Sequence, residues 1–496
     1  MKTNKEDRGI GWNLEQTYLN LPEVFYTRND PEEMEKPEWV ILNHELAECL
    51  GLHPENLQND EGLWLLSGNK MSDMVVPFSQ AYAGHQFGHF TILGDGRAHM
   101  VGEQITPEGA RYDIQLKGSG RTPYSRQGDG RAALGPMLRE YIMGEAMHAL
   151  GIPTSRVLSV ATTGQPVYRE RVLDGAVLSR VAQSHIRIGT FEYAAYIGKK
   201  AKIKALADYT MRRHFPAFVE EGAAQYQKLL GEAIRKQAFL VAQWQLKGFI
   251  HGVMNTDNIA ISGETIDYGP CAFMDTYHEK TVFSSIDELG RYAYGNQPAI
   301  AEWNLVRFAE TLLPLLDEDQ EAAIAIAKET LMEFMPQFTY FWMNGMRKKL
   351  GIFDQEEADE ALFNDLLSLM QKEELDYTNA FLALTYGGRT LAGSDSMEKA
   401  REALAPWVAQ WKERKKRESR TDRESLDLMK QANPAVIPRN HQVEKALEAA
   451  VRRSDLSVME DLLEVLKRPF DHEADYKKYQ EPAGPKFSSY RTFCGT

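Results

Sequence analysis

Apolar and polar positions change period several times along the chain, and each change marks an element. Residues 111–117 (RYDIQLK) alternate polar and apolar, the two-residue period of a strand. Residues 89–93 and 98–105 carry similar short runs on either side of Gly94-Asp95-Gly96-Arg97. Glycine tolerates the positive φ that a tight turn between strands requires, so the three runs predict a meander. From 131 to 150 the period lengthens, with Leu134, Leu138, Tyr141 and Ile142 at helical spacing, and Gly151-Ile152-Pro153 stops the helix. Residues 156–160 and 165–171 predict two further strands, so 76–175 reads β-β-β-α-β-β.

From 176 onward the spacing is mostly helical. A long helix through Leu230, Ile234, Ala238 and Val241 runs into His251-Gly252, and residues 258–267 (NIAISGETID) predict a hairpin turning at Ser262-Gly263-Glu264. Amphipathic helices continue to 466, and KERKKRESR from Lys412 reads as the solvated face of one of them. Residues 1–75 mix short helical patterns with turns at Leu21-Pro22, Asp30-Pro31 and Lys36-Pro37, and are expected to wrap a core without adding chemistry. Residues 467–496, rich in Pro, Lys and Tyr, predict an extended tail.

Composition narrows the class. With 43% apolar and 26% charged residues the chain can bury a sizeable core, which excludes disorder and collagen. Its 57 basic and 71 acidic residues leave a net charge of −14, which repels phosphate backbones, so no nucleic-acid partner is expected. Cys49, Cys271 and Cys494 are odd in number and contain no CxxC, which fits neither a zinc ribbon nor a disulfide framework and points to a reducing compartment. The N-terminus (MKTNKEDRGIGW) lacks a signal peptide's apolar run. No stretch approaches the roughly 20 apolar residues of a membrane span, so a soluble cytoplasmic protein is expected.

The candidate chemistry is concentrated in two places. Glu140 falls on a helical stripe with Ala133, Met137, Gly144 and Met147, beside or within an apolar face, where a carboxylate is costly unless paired. Lys117, closing the preceding strand, is its natural partner, and a lysine so held can hold nucleotide phosphates. Between them Gly118, Gly120, Gly128 and Gly130 alternate with Arg121, Arg126 and Arg131, as a flexible linker or as a phosphate cradle at a helix N-terminus. Asp129-Gly130 could cap that helix or reach the nucleotide, and Arg180 and Arg187 add two cations. His85 and His89 are four apart, but HQFGH contains glycine and lacks the glutamate of a metalloprotease, so zinc is not expected.

A Gly turn, a strand lysine, a helix glutamate and then a helical region with a loop and hairpin follow the order of parts in protein kinases. His251-Gly252-Val253, with Asn258 five residues beyond Val253, resembles the catalytic loop of aminoglycoside and choline kinase relatives. Ile266-Asp267-Tyr268-Gly269 resembles the metal-binding DFG, so Asn258 and Asp267 could share a magnesium ion. Val253 stands where the kinase aspartate should be and cannot accept a proton; the nearby carboxylate is Asp257. Two readings stay open on the residues alone: an inactive nucleotide-binding scaffold, or a different transfer with Asp257 as base.

Five long segments identify a closer resemblance, to the selenoprotein O family of protein adenylyltransferases, called YdiU in bacteria. They are residues 80–98, 115–141, 177–193, 251–275 and 433–441 (NPAVIPRNH), and the resemblance covers essentially the whole chain. It implies an α+β, bilobal, protein-kinase-like fold. The extension would be 1–75, the small lobe 76–175, the helical lobe 176–466 and the tail 467–496. It further implies ATP bound in reversed orientation, AMP transfer to Ser, Thr or Tyr of protein substrates, release of pyrophosphate, and Mg2+ or Mn2+; family members are also associated with UMP transfer from UTP. ATP contacts then fall on Gly94, Gly96, Arg97, Lys117, Asp129, Gly130, Arg180, Arg187 and Asp267. Asp257 is the proton acceptor, Asn258 and Asp267 hold the metal, and Glu140 holds Lys117. Eukaryotic relatives carry selenocysteine near the C-terminus, where Cys494 stands third from the end, and a reversible Cys271–Cys494 disulfide is one reading against a core thiol and a free tail thiol.

Overall fold

The alternation along 98–117 becomes the centre of a sheet. The computed structural model describes residues 9–71, 75–219, 222–387, 395–484, 487 and 490–493. Its strands begin with Leu14–Glu15 (β1), Tyr26–Arg28 (β2), Glu38–Leu42 (β3), Phe78–Gln80 (β4), Ala83–Gln86 (β5) and His89–Ile92 (β6). Ala98–Ile105 (β7), Arg111–Lys117 (β8), Ala132–Ala133 (β9), Arg156–Tyr168 (β10) and Val172–Ala182 (β11) follow. Among the described residues nine of these form one antiparallel sheet in the order β2-β4-β7-β8-β11-β10-β3, with β1 on β7 and β9 on β11. β5 and β6 form a separate hairpin.

Both faces of the sheet are covered. Ile114, Leu116, Val177 and Val181 point to one face, where Leu46, Leu50, Leu57 and Leu66 of the N-terminal segment pack. Leu178 and Val160 point to the other, against Met137, Leu138 and Ile142 of the helix Leu134–Ala149. Side chains alternate along a strand, so Gln115, Lys117 and Arg180 share the helix-covered face. That parity brings the polar residues of β8 and β11 to Glu140.

The strands depart from the sequence reading in two ways. The break predicted inside 161–164 is a bulge, with a register shift between Thr162 and Pro166, and the chain reverses only after Tyr168. Residues 176–182, read with the helical region, are strand, because VLSRVA carries both periods and pairing of Leu178 with Lys117 and of Arg180 with Gln115 decides between them. The N-terminal segment does more than wrap, since it contributes β1, β2 and β3 to the sheet.

Helices dominate from Ile188 onward. The longest, Ala224–Lys247, buries Leu230, Ile234, Ala238 and Val241 fully and ends at Gly248, whose φ of 70° suits a residue without Cβ. Phe249–Ile250 (β12) then pairs with Ala272–Phe273 (β13), closing the base of the loop 251–271. The hairpin expected at 258–267 is reduced to a single bridge between Ile259 and Thr265. The basic run from Lys412 is not wholly solvated: Arg414 is 3% exposed and donates to Asp359 at 2.7 Å and to Glu418 at 2.6 Å. No helix of the described residues is long and apolar enough to cross a membrane.

Leu138 is fully buried between the helix and the sheet, on the helical turn that carries Glu140. Leu138→Ala should cost about 2–5 kcal/mol, read as a lower urea midpoint with an unchanged denaturant slope.

Candidate active site

The central strands of the sheet, the helix Leu134–Ala149 and the loop 251–271 enclose a cavity of about 1250 Å3. Gly94, Gly96, Arg97, Lys117, Asp129 and Gly130 line it from the sheet side, with Glu140, Arg180 and Arg187 behind them. Asp257, Asn258 and Asp267 line the opposite wall. All the residues expected to handle nucleotide and metal thus face one space.

At its floor three cations surround two carboxylates. Lys117 Nζ donates to Glu140 Oε2 at 2.7 Å and to Asp267 Oδ1 at 3.1 Å. Arg180 Nε donates to Glu140 Oε1 at 2.7 Å, and one of its terminal nitrogens to Asp267 Oδ1 at 2.6 Å. Arg187 reaches Asp267 Oδ2 at 3.0 Å and the backbone oxygen of Asp257 at 2.7 Å. Burial alone would raise the Glu140 and Asp267 carboxyls; the facing cations outweigh it and hold both below their ordinary values, Asp267 well below. Asp267 has a φ of 62°, a left-handed conformation uncommon for a residue with Cβ and maintained here by its three partners.

Asp257 is in a different state. It lies in the short turn Thr256–Asn258, is 7% exposed, and its Oδ1 has no hydrogen-bond partner among the described residues. Burial pushes its carboxyl up to about 7; Arg187 opposes the rise, while Asp267 and Glu192 add to it. A carboxyl so tuned is suited to accept a proton near neutral pH. The Asn258 amide nitrogen donates to Val253 O at 3.0 Å, and its Oδ1 takes no hydrogen bond from the described residues. Val253 itself is buried, with its backbone N–H directed to His251 Nδ1.

The outer part of the cavity is a cradle of backbone and arginine. A Cβ on Gly94 would lie 2.4 Å from the Tyr124 ring, so only glycine lets the 122–125 loop close over this turn. Thr122 Oγ1 donates to Asp95 O at 2.7 Å and holds that closure. Asp129 does not cap the helix: its carboxylate forms a fork with Arg169, at 2.8 and 3.0 Å. The helix begins at Leu134 with no side-chain cap, and its first turn lines the cavity. Arg97, Arg126 and Arg171 line the cavity with no ion-pair partner among the described residues, whereas Arg131 is tied to Glu32 at 3.0 Å.

Some contributors were not anticipated. Tyr82 stacks under Arg187, with the guanidinium carbon 4.7 Å from the ring centroid, and Asp95 and Gln115 extend the buried polar network. The described tail also reaches the rim, where Thr492 Oγ1 donates to Pro270 O at 2.6 Å. Cys271 beside Pro270 is fully buried, and burial pushes its thiol up to about 11. Its suggested partner Cys494 lies outside the described residues.

Comparison with known proteins gives the geometry a family. A sequence model described as "Protein adenylyltransferase SelO" matches residues 10–467. The chain belongs to the SelO family. It is 56% identical to a protein of Halalkalibacterium halodurans and 56% identical to one of Alkaliphilus metalliredigens, each over 100% of both chains. It is 55% identical to one of Bacillus cereus, over 98% of this chain and 99% of the other. Each of these relatives is named protein nucleotidyltransferase YdiU.

Glu140→Ala would leave Lys117 and Arg180 buried with Asp267 as their shared counter-charge. The expected loss is about 3–5 kcal/mol of stability, seen as a lower thermal midpoint, with weaker nucleotide binding by calorimetry.

Proposed function

We propose that this chain transfers AMP from ATP to Ser, Thr or Tyr hydroxyls of other proteins and releases pyrophosphate. The sheet and the helical region act as the small and large lobes of a kinase-like frame. One observation carries the reading: a buried carboxyl, Asp257, has an unpartnered oxygen in the same cavity as Lys117, Arg180 and Asp267, while Val253 occupies the ordinary kinase position.

In this reading the acceptor hydroxyl gives its proton to Asp257 as its oxygen attacks the α-phosphorus. The bond from that phosphorus to the oxygen bridging the β-phosphate breaks, and pyrophosphate leaves with the electron pair. The attacking hydroxyl oxygen must lie in line with the departing oxygen, and the base within about 3 Å of the proton it takes. ATP then lies reversed, its outer phosphates beneath the Gly94–Gly96 turn, in the cavity that Arg97, Arg126 and Arg171 line without an ion-pair partner among the described residues. In a chain of net charge −14, an unpaired arginine cluster at one cavity supports a polyanionic ligand there.

Mg2+ or Mn2+ fits the donors present. Asn258 Oδ1 is free of hydrogen bonds from described residues, and the Asp267 carboxylate lines the same cavity. Among the described residues no cluster of three His, Cys, Asp or Glu side chains could hold an ion alone, so Asn258 and Asp267 would hold it together with oxygens of the nucleotide. When bound, the ion neutralises charge on the phosphates.

The test is incubation of the protein with magnesium or manganese, candidate acceptor proteins, and ATP labelled on the α or γ phosphate, with α-labelled UTP alongside. Label from the α position should appear in protein and label from γ should not. Incorporation of γ label would establish conventional phosphotransfer instead, and absence of both would favour a nucleotide-binding scaffold. Asp257→Ala should abolish transfer and leave ATP affinity within about twofold; full activity in that variant would remove Asp257 as the base.

A further inference from the structure

The Asp257 carboxylate is held by shape as much as by bonding. A Cβ on Gly84 would lie 2.1 Å from Asp257 Oδ1, and one on Gly189 would lie 3.3 Å from Asp257 Cα and 2.0 Å from Ala83 O. Backbone from β5 and from the start of the helix Ile188–Tyr196 therefore forms a wall against this residue. The accuracy of the carboxylate depends on how firmly that wall is fixed.

The wall is part of the hairpin β5–β6, which lies outside the main sheet. An isolated two-stranded hairpin is marginal in water and must be docked. Its turn is also strained, because Phe87 adopts a φ of 50° where its Cβ is unfavourable. The docking bonds converge on the two residues preceding Asp257. Phe87 N donates to Asn255 Oδ1 at 3.0 Å, and His85 N donates to Thr256 Oγ1 at 2.7 Å.

Thr256 is fully buried, and its hydroxyl proton goes to Glu192 Oε2 at 2.5 Å. Glu192, 5% exposed, meets the ring of the same histidine, His85 Nδ1, through Oε1 at 2.5 Å. The three residues close a ring: hairpin amide to threonine hydroxyl, hydroxyl to one glutamate oxygen, and hairpin imidazole against the other. A hydroxyl has one proton, so donation to Glu192 leaves its lone pairs for the hairpin N–H and fixes the direction of both bonds at Thr256. The ring spans three separate segments, and neither His85 nor Glu192 lines the cavity.

We propose that His85, Glu192 and Thr256 are positioning residues that clamp the β5–β6 hairpin on the 255–258 loop and so set the Asp257 carboxylate for proton transfer. The role of Asp257 rests on the function proposed above; the clamp itself does not. It acts on the chemical step, since the groups that meet the nucleotide phosphates lie elsewhere. Removing it lets the wall move, and a displacement of about 1 Å at a reacting group costs up to about a hundredfold in rate.

The experiment uses the full chain with Thr256→Val, Thr256→Ser and His85→Phe. Transfer of α label gives kcat and the KM for ATP, and amide hydrogen exchange follows the 253–259 segment. Thr256→Val and His85→Phe should lower kcat by about tenfold to a hundredfold with the KM for ATP within twofold, and should speed exchange in that segment. Thr256→Ser, which keeps the hydroxyl, should recover most of both. Unchanged exchange in Thr256→Val, a serine variant as impaired as the valine one, or a loss confined to the KM for ATP would each overturn the clamp. If the unmodified protein transfers no α label while exchange responds as expected, the proposed function falls and the clamp stands.

Discussion

Asp267 is the point on which this site depends. Its two oxygens are shared among Lys117 from β8, Arg180 from β11 and Arg187 ahead of the next helix, and Glu140 holds the first two from the opposite side. Buried charges of this kind are costly singly and tolerable only as a set, so two strands, a helix and the 251–271 loop must meet in one arrangement. The left-handed backbone at Asp267 is a local expense of that arrangement. Asp257, ten residues earlier in the chain, has no hydrogen-bond partner for its Oδ1 among the described residues.

Much of this was readable where the signal was local. The strands at 98–105 and 111–117 follow from alternation, and the Lys117–Glu140 pair follows from a carboxylate placed against an apolar helical stripe. Asp257, Asn258 and Asp267 were marked by their spacing in one loop, and they do share a cavity. Other features depended on pairing between distant segments. Arg180 reaches Glu140 because register sets it opposite Gln115, two residues from Lys117 on the same face, and nothing within VLSRVA announces that register. Asp129 was expected at a helix cap or a nucleotide; it lines the cavity without capping the helix, and its carboxylate meets Arg169 of the β10–β11 turn.

The segment GHQFGH was the least legible. Its histidines were set aside as a metal pair and given no other role, whereas His85 meets Glu192 and His89 sits in the partner strand opposite Gln86. A clearer signal was the pair of glycines, Gly84 and Gly88, in a stretch otherwise of strand character. Gly84 permits close approach to Asp257, and Gly88 completes a turn with positive φ. The acidic total of the chain likewise says little until the cavity is seen, where arginines without an ion-pair partner among the described residues line the outer end and carboxylates the inner one.

The central claim is the direction in which the nucleotide lies. A crystal structure of the full chain with magnesium and a non-hydrolysable ATP analogue would measure it. The account predicts the α-phosphorus as the phosphorus nearest to Asp257, within about 4–5 Å, a separation that leaves room for an acceptor oxygen, with the γ-phosphate beside Arg97 beneath the Gly94–Gly96 turn. A γ-phosphate beside Asp257, with the α-phosphate toward the turn, would contradict it.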